Sequence, residues 1–212
     1  MKTPTLATML RFLKAAGVEK IEVFDPFNPK LNGRYVGHVL PVKNQADILY
    51  YSGHGWSPTG ELLSVSDSGG CVHPSEINPA VNWKEDLEYF VIAGCGVLDP
   101  DSKGISDWAI PFVKNGPLKG LVGYYGRAPL DNPPRRFPRR LPSSVDVATR
   151  FINNLINSPT YDFDTGDPIL NAWLEANAYH QQPAIAYTKS SIWWVVKAKR
   201  GWWWVVEKKQ DY

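Results

Sequence analysis

The sequence predicts an α/β fold with a mostly parallel central sheet, and two short apolar runs carry this prediction. The first run covers residues 46–52 and is followed by His54, which has a glycine on either side. The second run covers residues 87–93 and is followed by Cys95, which is likewise flanked by glycines. Both runs are rich in aromatic and β-branched residues and stop at glycine, as buried strands of parallel sheets do. A histidine and a cysteine therefore stand just beyond the ends of two predicted strands.

Apolar periodicity places the other predicted elements. Apolar residues at helical spacing predict helices over residues 5–16, 105–115, 145–156 and 168–180. Short apolar or alternating runs predict further strands over residues 20–24, 34–42, 118–125, 183–188, 192–198 and 202–207. Two adjacent glycines between short extended pieces predict a hairpin within residues 60–72. Residues 133–142 are rich in proline and arginine, so we expect an extended, solvated segment that cannot join a sheet.

Composition narrows the class of protein. A chain of 212 residues, 43% of them hydrophobic, is expected to form one domain over residues 1–212 with a substantial core. Its 23 basic and 21 acidic residues nearly balance, so we expect no nucleic-acid partner. The sequence has no apolar block typical of a signal peptide and no run long enough to span a membrane, which predicts a cytoplasmic protein without a membrane partner. Its two cysteines are too few for a disulfide framework.

The reactive residues at the two strand ends predict a cysteine–histidine dyad. In an open α/β sheet, loops at the carboxyl ends of neighbouring strands face one crevice, so we expect His54 and Cys95 to face each other there. A free thiol is mostly protonated at neutral pH, and a nearby imidazolium favours the thiolate that acts as a nucleophile. The flanking glycines let a substrate carbonyl approach the backbone, which makes the N–H groups of Gly55 and Cys95 candidate donors to an oxyanion. Candidate substrate-binding residues nearby are Ser52, Trp56, Gly96 and Tyr124.

A zinc site is one alternative. His54 and Cys95, together with Cys71 and His73, would supply two imidazoles and two thiolates, which is a complete set of zinc ligands. Against this interpretation, a cysteine and a histidine separated by one residue do not have a common zinc-binding spacing. The dyad interpretation instead predicts a site without a bound metal, because a metal on Cys95 would block its attack on a substrate.

A binding or scaffolding module without catalysis is the second alternative. The chain holds nine tryptophans, and consecutive residues on a strand face opposite sides of the sheet. Either both faces of the sheet are covered, which we favour, or an indole is exposed for a partner. Five of these tryptophans are close together in the sequence: Trp193, Trp194, Trp202, Trp203 and Trp204.

The two motifs resemble those of the caspase-like, or clan CD, cysteine peptidases, which include caspases, metacaspases, gingipains, legumains, separases and CHAT-domain peptidases. The similarity covers about residues 46–126 and is closest in the string Tyr-Ser-Gly-His-Gly that ends at Gly55, which metacaspases carry in nearly the same form. Cys95 follows His54 by 41 residues, close to the separation of about 50 in caspases. The resemblance implies a caspase-hemoglobinase three-layer sandwich, with His54 as general acid/base, Cys95 as nucleophile, a peptide or protein substrate and no cofactor.

Two departures separate this chain from those families. The caspase string Gln-Ala-Cys-x-Gly is absent, because Gly94 precedes the cysteine. Metacaspases hold a basic P1 side chain with an acidic residue two positions before the cysteine, where this chain has Ala93. The resemblance therefore implies a cysteine endopeptidase of a bacterial branch, without a defined P1 preference. A catalytically inactive caspase-like binding module is the alternative on the same fold.

Overall fold

The computed structural model describes residues 47–63, 71–77, 87–130, 135–136, 139–140, 142–157, 163–198 and 204–210. The predicted helix over residues 5–16 and the predicted strands over residues 20–24 and 34–42 lie outside the described residues. The turn of the hairpin predicted within residues 60–72 lies outside them as well, as do Trp202 and Trp203.

The predicted strands and helices that fall on described residues are present in the predicted order, whereas the short strands His54–Trp56, Arg135–Arg136 and Arg139–Arg140 were not predicted. Predicted helices and strands from residue 105 onward are present, with bounds that differ by at most three residues. No described helix is both long and apolar enough to span a membrane. The strands are β1 (Ile48–Ser52), β2 (His54–Trp56), β3 (Glu61–Leu63), β4 (Cys71–Val72), β5 (Tyr89–Ala93), β6 (Gly120–Tyr124), β7 (Arg135–Arg136), β8 (Arg139–Arg140), β9 (Ala184–Tyr187), β10 (Ser191–Lys197) and β11 (Trp204–Gln210). The helices are a 3-10 turn (Pro74–Glu76), a π-helix (Gly104–Lys114), α1 (Ser144–Asn157) and α2 (Pro168–His180).

A six-stranded mixed sheet forms the centre of the described structure, in the order β1-β5-β6-β9-β10-β11. β1, β5 and β6 pair in parallel, whereas β9, β10 and β11 are joined by antiparallel pairing. The predicted mostly parallel sheet is therefore correct only for the half that carries the candidate site. Residues 94–119, which include the π-helix, leave room for a parallel crossover, whereas only residues 188–190 connect β9 to β10 and they permit a hairpin. A separate antiparallel sheet, β2-β3-β4, follows directly after β1.

Two hydrophobic clusters cover the two faces of the six-stranded sheet. Alternate residues of β5 belong to different clusters, as the period of a strand requires. Phe90 and Ile92 pack with the π-helix, whereas Tyr89 and Val91 pack with α1 and α2. Burial on both faces is the reason that β5 appears in the sequence as a continuous apolar run.

The described tryptophans of β10 are covered on both faces, as we favoured from the sequence. Trp193 is buried in the cluster with α1 and α2, whereas Trp194 packs against the cluster on the other face. Lys208 and Lys209 of β11 lie over these rings, with their Nζ atoms 5.0 and 5.4 Å from the ring centroids. These two indoles are part of the covered sheet and do not form an exposed binding surface.

The helix predicted over residues 105–115 is present but is wound as a π-helix, with Pro111 inside it. Its bonding is visible at the carboxyl end, where the Asn115 N–H donates to the Ile110 carbonyl at 2.8 Å, five residues back. Proline has no N–H to donate, so Pro111 removes one bond of the usual four-residue spacing. The missing donor is consistent with the wider winding.

The structure corrects the prediction that residues 133–142 form an extended segment outside any sheet. β7 pairs with β8 in a two-stranded antiparallel ladder, so the expectation that this segment cannot join a sheet is wrong. The paired positions are all arginines, which keep their backbone N–H groups. The prolines, which have no N–H, occupy other positions of the segment: Pro133, Pro134, Pro138 and Pro142.

α2 is joined to β5 through its first turn. Asp167 precedes the helix, and its Oδ1 accepts hydrogen bonds from the backbone N–H groups of Ile169 and Leu170 at 2.8 and 3.3 Å. Its Oδ2 accepts a hydrogen bond from the Tyr89 hydroxyl of β5. Burial, and then this hydrogen bond, raises the pKa of Tyr89 well above its ordinary value, so the phenol stays a donor at neutral pH. One carboxylate thus caps α2 and ties it to the strand that leads to Cys95.

Replacing Asp167 by alanine should lower the free energy of unfolding by roughly 2 kcal/mol, because a helix cap and a hydrogen bond to a carboxylate are both lost. Tyr89→Phe removes only the bond from the phenol and should cost about 1 kcal/mol. Urea denaturation followed by circular dichroism measures both changes. Equal losses in the two variants, or a loss below about 0.5 kcal/mol for Asp167→Ala, would contradict this description of the cap.

Candidate active site

Parallel pairing of β1 with β5 brings the two candidate catalytic segments to the same edge of the sheet. In the register of this pair, Ser52 lies opposite Ala93, and the Gly53 N–H donates to the Ala93 carbonyl at 3.4 Å. His54 and Cys95 each stand two residues further along the chain. The two strands are therefore neighbours, and both reach their carboxyl ends at the edge where ligands bind in α/β sheets.

The loop after β5 touches β2 at Gly55. A Cβ atom on Gly55 would lie 2.1 Å from Val97 Cγ2 and 2.9 Å from the Cys95 carbonyl oxygen. No side chain fits in that space, so glycine is what allows the two backbones to approach this closely. His54 and Cys95 are thereby held on adjoining segments of backbone.

His54 is an exposed residue whose backbone is held by a buried tyrosine. The residue opens β2, and its side chain is exposed. The Tyr51 hydroxyl donates to the His54 carbonyl at 2.6 Å, and the phenol fills the space beside Gly53. Sequence reasoning missed this role of Tyr51, although the residue stands in the motif string. An exposed imidazole on a fixed backbone is suited to exchange protons with solvent and with a substrate.

Cys95 carries a free, half-buried thiol. Its sulfur accepts a hydrogen bond from the Ala128 backbone N–H at 3.3 Å. Within the described residues, no hydrogen bond joins this sulfur to the His54 imidazole. The Cys95 N–H likewise donates to no acceptor in the described part of the chain, so it can serve as the oxyanion donor that the sequence predicts.

Three of the candidate substrate-binding residues stand within two residues of His54 or Cys95 in the chain, and Gly96 among them is buried. Trp56, at the end of β2, is 55% exposed, and Ser52 is half-buried at the end of β1. Gly96 turns the chain after the cysteine with a φ of +62°, a conformation that favours glycine. Its N–H donates to the Gly126 carbonyl at 2.7 Å, which fixes the turn against the end of β6.

Tyr124, the fourth candidate, lies beneath the site rather than on its surface. The residue is 2% exposed, and its ring packs against Trp173 of α2 with centroids 5.3 Å apart. Burial raises the pKa of Tyr124 well above its ordinary value, and Tyr50 and Cys95 add to the effect. Tyr124 is therefore a neutral, buried side chain near Cys95. It has almost no surface for direct contact with a peptide.

The four residues of the zinc alternative are not gathered at one point. Cys71 is exposed on β4 and pairs with Leu63 of β3, the strand that separates it from His54 in β2. His73 instead contacts Glu61, with Nε2 3.7 Å from Oε1. Among the described residues, no group of three or more histidine, cysteine, aspartate or glutamate side chains could hold a metal ion.

Comparisons with protein-family models, with curated proteins and with solved structures find no match to this chain. The function is therefore inferred from the residues of the site. The site has a thiol on the turn after β5 and an imidazole on the adjoining strand β2. The backbone N–H beside the thiol has no acceptor in the described ranges. A nucleophile, a base and an oxyanion donor are the groups that acyl transfer requires.

Gly55→Ala should lower the free energy of unfolding by about 1–3 kcal/mol, because the added methyl group overlaps Val97 and the Cys95 backbone. Gly94→Ala is the matched control, since its Cβ would meet its nearest neighbour at 3.3 Å. We expect this control to cost less than about 1 kcal/mol. Thermal unfolding measures both variants. A Gly55→Ala protein as stable as Gly94→Ala would show that the two backbones do not meet at this point.

Proposed function

We propose that the chain is a cysteine endopeptidase of the caspase-like type, with Cys95 as the nucleophile and His54 as the general acid and base. The observation that carries this proposal is the register of β1 and β5, whose carboxyl ends lead directly into the His54 and Cys95 segments. The close approach of Gly55 to the Cys95 backbone supports it further, because it holds the two segments together. The proposed substrate is a peptide or a protein.

The packing of the helices supports the caspase-like architecture that we propose. The π-helix packs on one face of the six-stranded sheet, and α1 and α2 pack on the other, which is the order of a three-layer sandwich. The parallel strands β1, β5 and β6 lie side by side, and the two candidate catalytic residues follow the first two of them. The resemblance of the two motifs to clan CD peptidases agrees with this arrangement.

Cleavage begins with transfer of the Cys95 thiol proton to the His54 imidazole. The thiolate attacks the carbonyl carbon of the scissile peptide bond, so that a C–S bond forms and the carbonyl oxygen takes up the negative charge. The backbone N–H groups of Cys95 and Gly55 donate hydrogen bonds to this oxygen. Such donors act on charge that develops only as the reaction proceeds, and they therefore stabilise the transition state more than the bound substrate.

The second half of the reaction releases the amine product and hydrolyses the thioester. The His54 imidazolium gives its proton to the leaving amine as the C–N bond breaks, which leaves the acyl group on Cys95. A water molecule then gives a proton to His54 and attacks the thioester. The C–S bond breaks to release a carboxylic acid, and His54 returns its proton to the sulfur to restore the thiol. His54 acts in turn as base and acid, and its exposed position on β2 lets it exchange protons with solvent.

The proposed dyad requires the His54 side chain to move toward the Cys95 sulfur. No hydrogen bond joins the His54 ring to the Cys95 sulfur among the described residues. Catalytic hydrogen bonds are often long in the free enzyme and tighten only in the complex with substrate. We expect an approaching peptide to bring the exposed His54 side chain and the sulfur into contact.

Trp56 is the proposed apolar contact for the substrate. It follows His54 by two residues on β2, so the two side chains lie on the same face of that strand, and both are exposed. An indole beside the imidazole offers a large apolar surface to a substrate side chain near the scissile bond. This contact favours apolar residues in the peptide without defining the P1 residue.

The purified protein, incubated with a synthetic library of peptides of mixed sequence, should give defined cleavage products. Cys95→Ser should slow cleavage by more than about a thousandfold, because the nucleophile is lost. His54→Ala should slow it by about a hundredfold or more, which is the usual contribution of acid–base catalysis. Mass spectrometry of the library over time measures these rates.

Cys71→Ser is the matched control for the peptide library. It removes the other thiol, which is exposed on β4 and belongs to no proposed site. Its cleavage rate should equal that of the wild-type protein. Loss of cleavage in Cys71→Ser with retention in Cys95→Ser contradicts the proposed function, and so does a wild-type protein that cleaves no peptide.

A further inference from the structure

We propose that the backbone N–H of Ala128 positions the sulfur of Cys95 and stabilises its negative form. This inference rests on the proposed function, since it assigns a second group to the proposed nucleophile. The observation that carries it is the hydrogen bond from the Ala128 N–H to Cys95 Sγ at 3.3 Å. Ala128 is a positioning residue, because it acts on the substrate only through the sulfur.

The register of β5 and β6 explains why Ala128 reaches the sulfur. Ile92 of β5 pairs with Gly123 of β6, and Cys95 and Gly126 each follow by three residues. The Gly96 N–H donates to the Gly126 carbonyl at 2.7 Å, which joins the turn after β5 to the segment after β6. This segment therefore flanks Cys95 from the β6 side, whereas β1 and His54 lie on the other side of β5.

The segment that carries Ala128 is held by two hydrogen bonds from Tyr125, three residues before it. The Tyr125 N–H donates to the Pro183 carbonyl at 3.1 Å, and the Tyr125 hydroxyl donates to the Val195 carbonyl at 2.8 Å. Ala128 is itself half-buried and packs against the hydrophobic cluster under α1 and α2. These contacts fix the orientation in which the Ala128 N–H points at the sulfur, so its dipole is preorganised for a negative charge there.

The chemical effect of this contact follows from the dipole of the N–H group. A donor that points at a sulfur interacts more strongly with a thiolate than with a thiol, so it favours the reactive form. The bond also restricts rotation of the Cys95 side chain, because only one orientation places the sulfur near Ala128. His54 and Ala128 therefore have separate tasks: His54 moves the proton, and Ala128 holds the sulfur that loses it.

The test compares two substitutions of Ala128 in a Cys71→Ser background, where Cys95 is the sole thiol. Ala128→Pro removes the N–H, and Ala128→Gly keeps it. The measured quantity is the rate constant for alkylation of Cys95 by iodoacetamide across a range of pH from about 5 to 9. We expect Ala128→Pro to react about tenfold more slowly near pH 6, with the difference shrinking at high pH, where the thiol ionises without help. Ala128→Gly should stay within about twofold of the parent protein.

Identical pH profiles for Ala128→Pro and Ala128→Gly would overturn the inference. Circular dichroism checks that both variants fold. If Ala128→Pro does not fold, replacement of Ala128 by lactic acid removes the same N–H through an ester bond with little change of shape, and its alkylation profile decides the question in the same way.

Alkylation requires no peptide substrate, so this result separates the inference from the proposed function. A shifted profile in a protein that cleaves no peptide supports the contact with Ala128 and contradicts the peptidase. An unchanged profile in a protein that cleaves peptides contradicts the contact and leaves the peptidase intact.

Discussion

The candidate site depends on one interaction, the parallel backbone pairing of β1 with β5. A shift of one residue in the register of β1 against β5 would displace His54 along the strand direction relative to Cys95. It would also turn every side chain of β1 to the other face of the sheet. Burial on both faces opposes such a slip, because Phe90, Val91 and Ile92 of β5 are each at most 2% exposed. The hydrophobic core therefore sets the register, and the position of the reactive residues follows from it.

Backbone dipoles supply much of the polar environment around Cys95. The Ala128 N–H points at the sulfur, and the N–H of Cys95 itself has no acceptor among the described residues. Tyr124 lies below as a neutral, buried phenol. Fixed dipoles in a half-buried setting need little reorganisation when negative charge develops, which suits the thiolate and the oxyanion of the proposed reaction. Gly55 completes the arrangement, since a side chain there would separate the two segments.

The half of the fold that carries the candidate site could be predicted because the sequence patterns that specify it are local. Apolar runs that stop at glycine marked β1, β5 and β6, and helical periodicity marked α1 and α2. The antiparallel pairing of β6 with β9 joins strands that α1 and α2 separate in the sequence, and periodicity does not encode such a pairing. The β7–β8 ladder was not predicted because the prolines around its arginines indicate a segment outside any sheet. The contact of Ala128 with Cys95 spans 33 residues of sequence and depends on the β5–β6 register. Helical periodicity also predicted the helix over residues 105–115, but its π winding depends on how the backbone re-pairs around the donor that Pro111 lacks.

The relative alkylation of the two thiols tests most directly whether His54 makes Cys95 chemically reactive. Cys71 is exposed and Cys95 is half-buried, so accessibility alone favours Cys71. We predict that iodoacetamide at mildly acidic pH labels Cys95 of the wild-type protein about tenfold faster than Cys71, and that His54→Ala removes most of this difference. Faster labelling of Cys71, with a rate at Cys95 that His54→Ala does not change, would contradict the dyad.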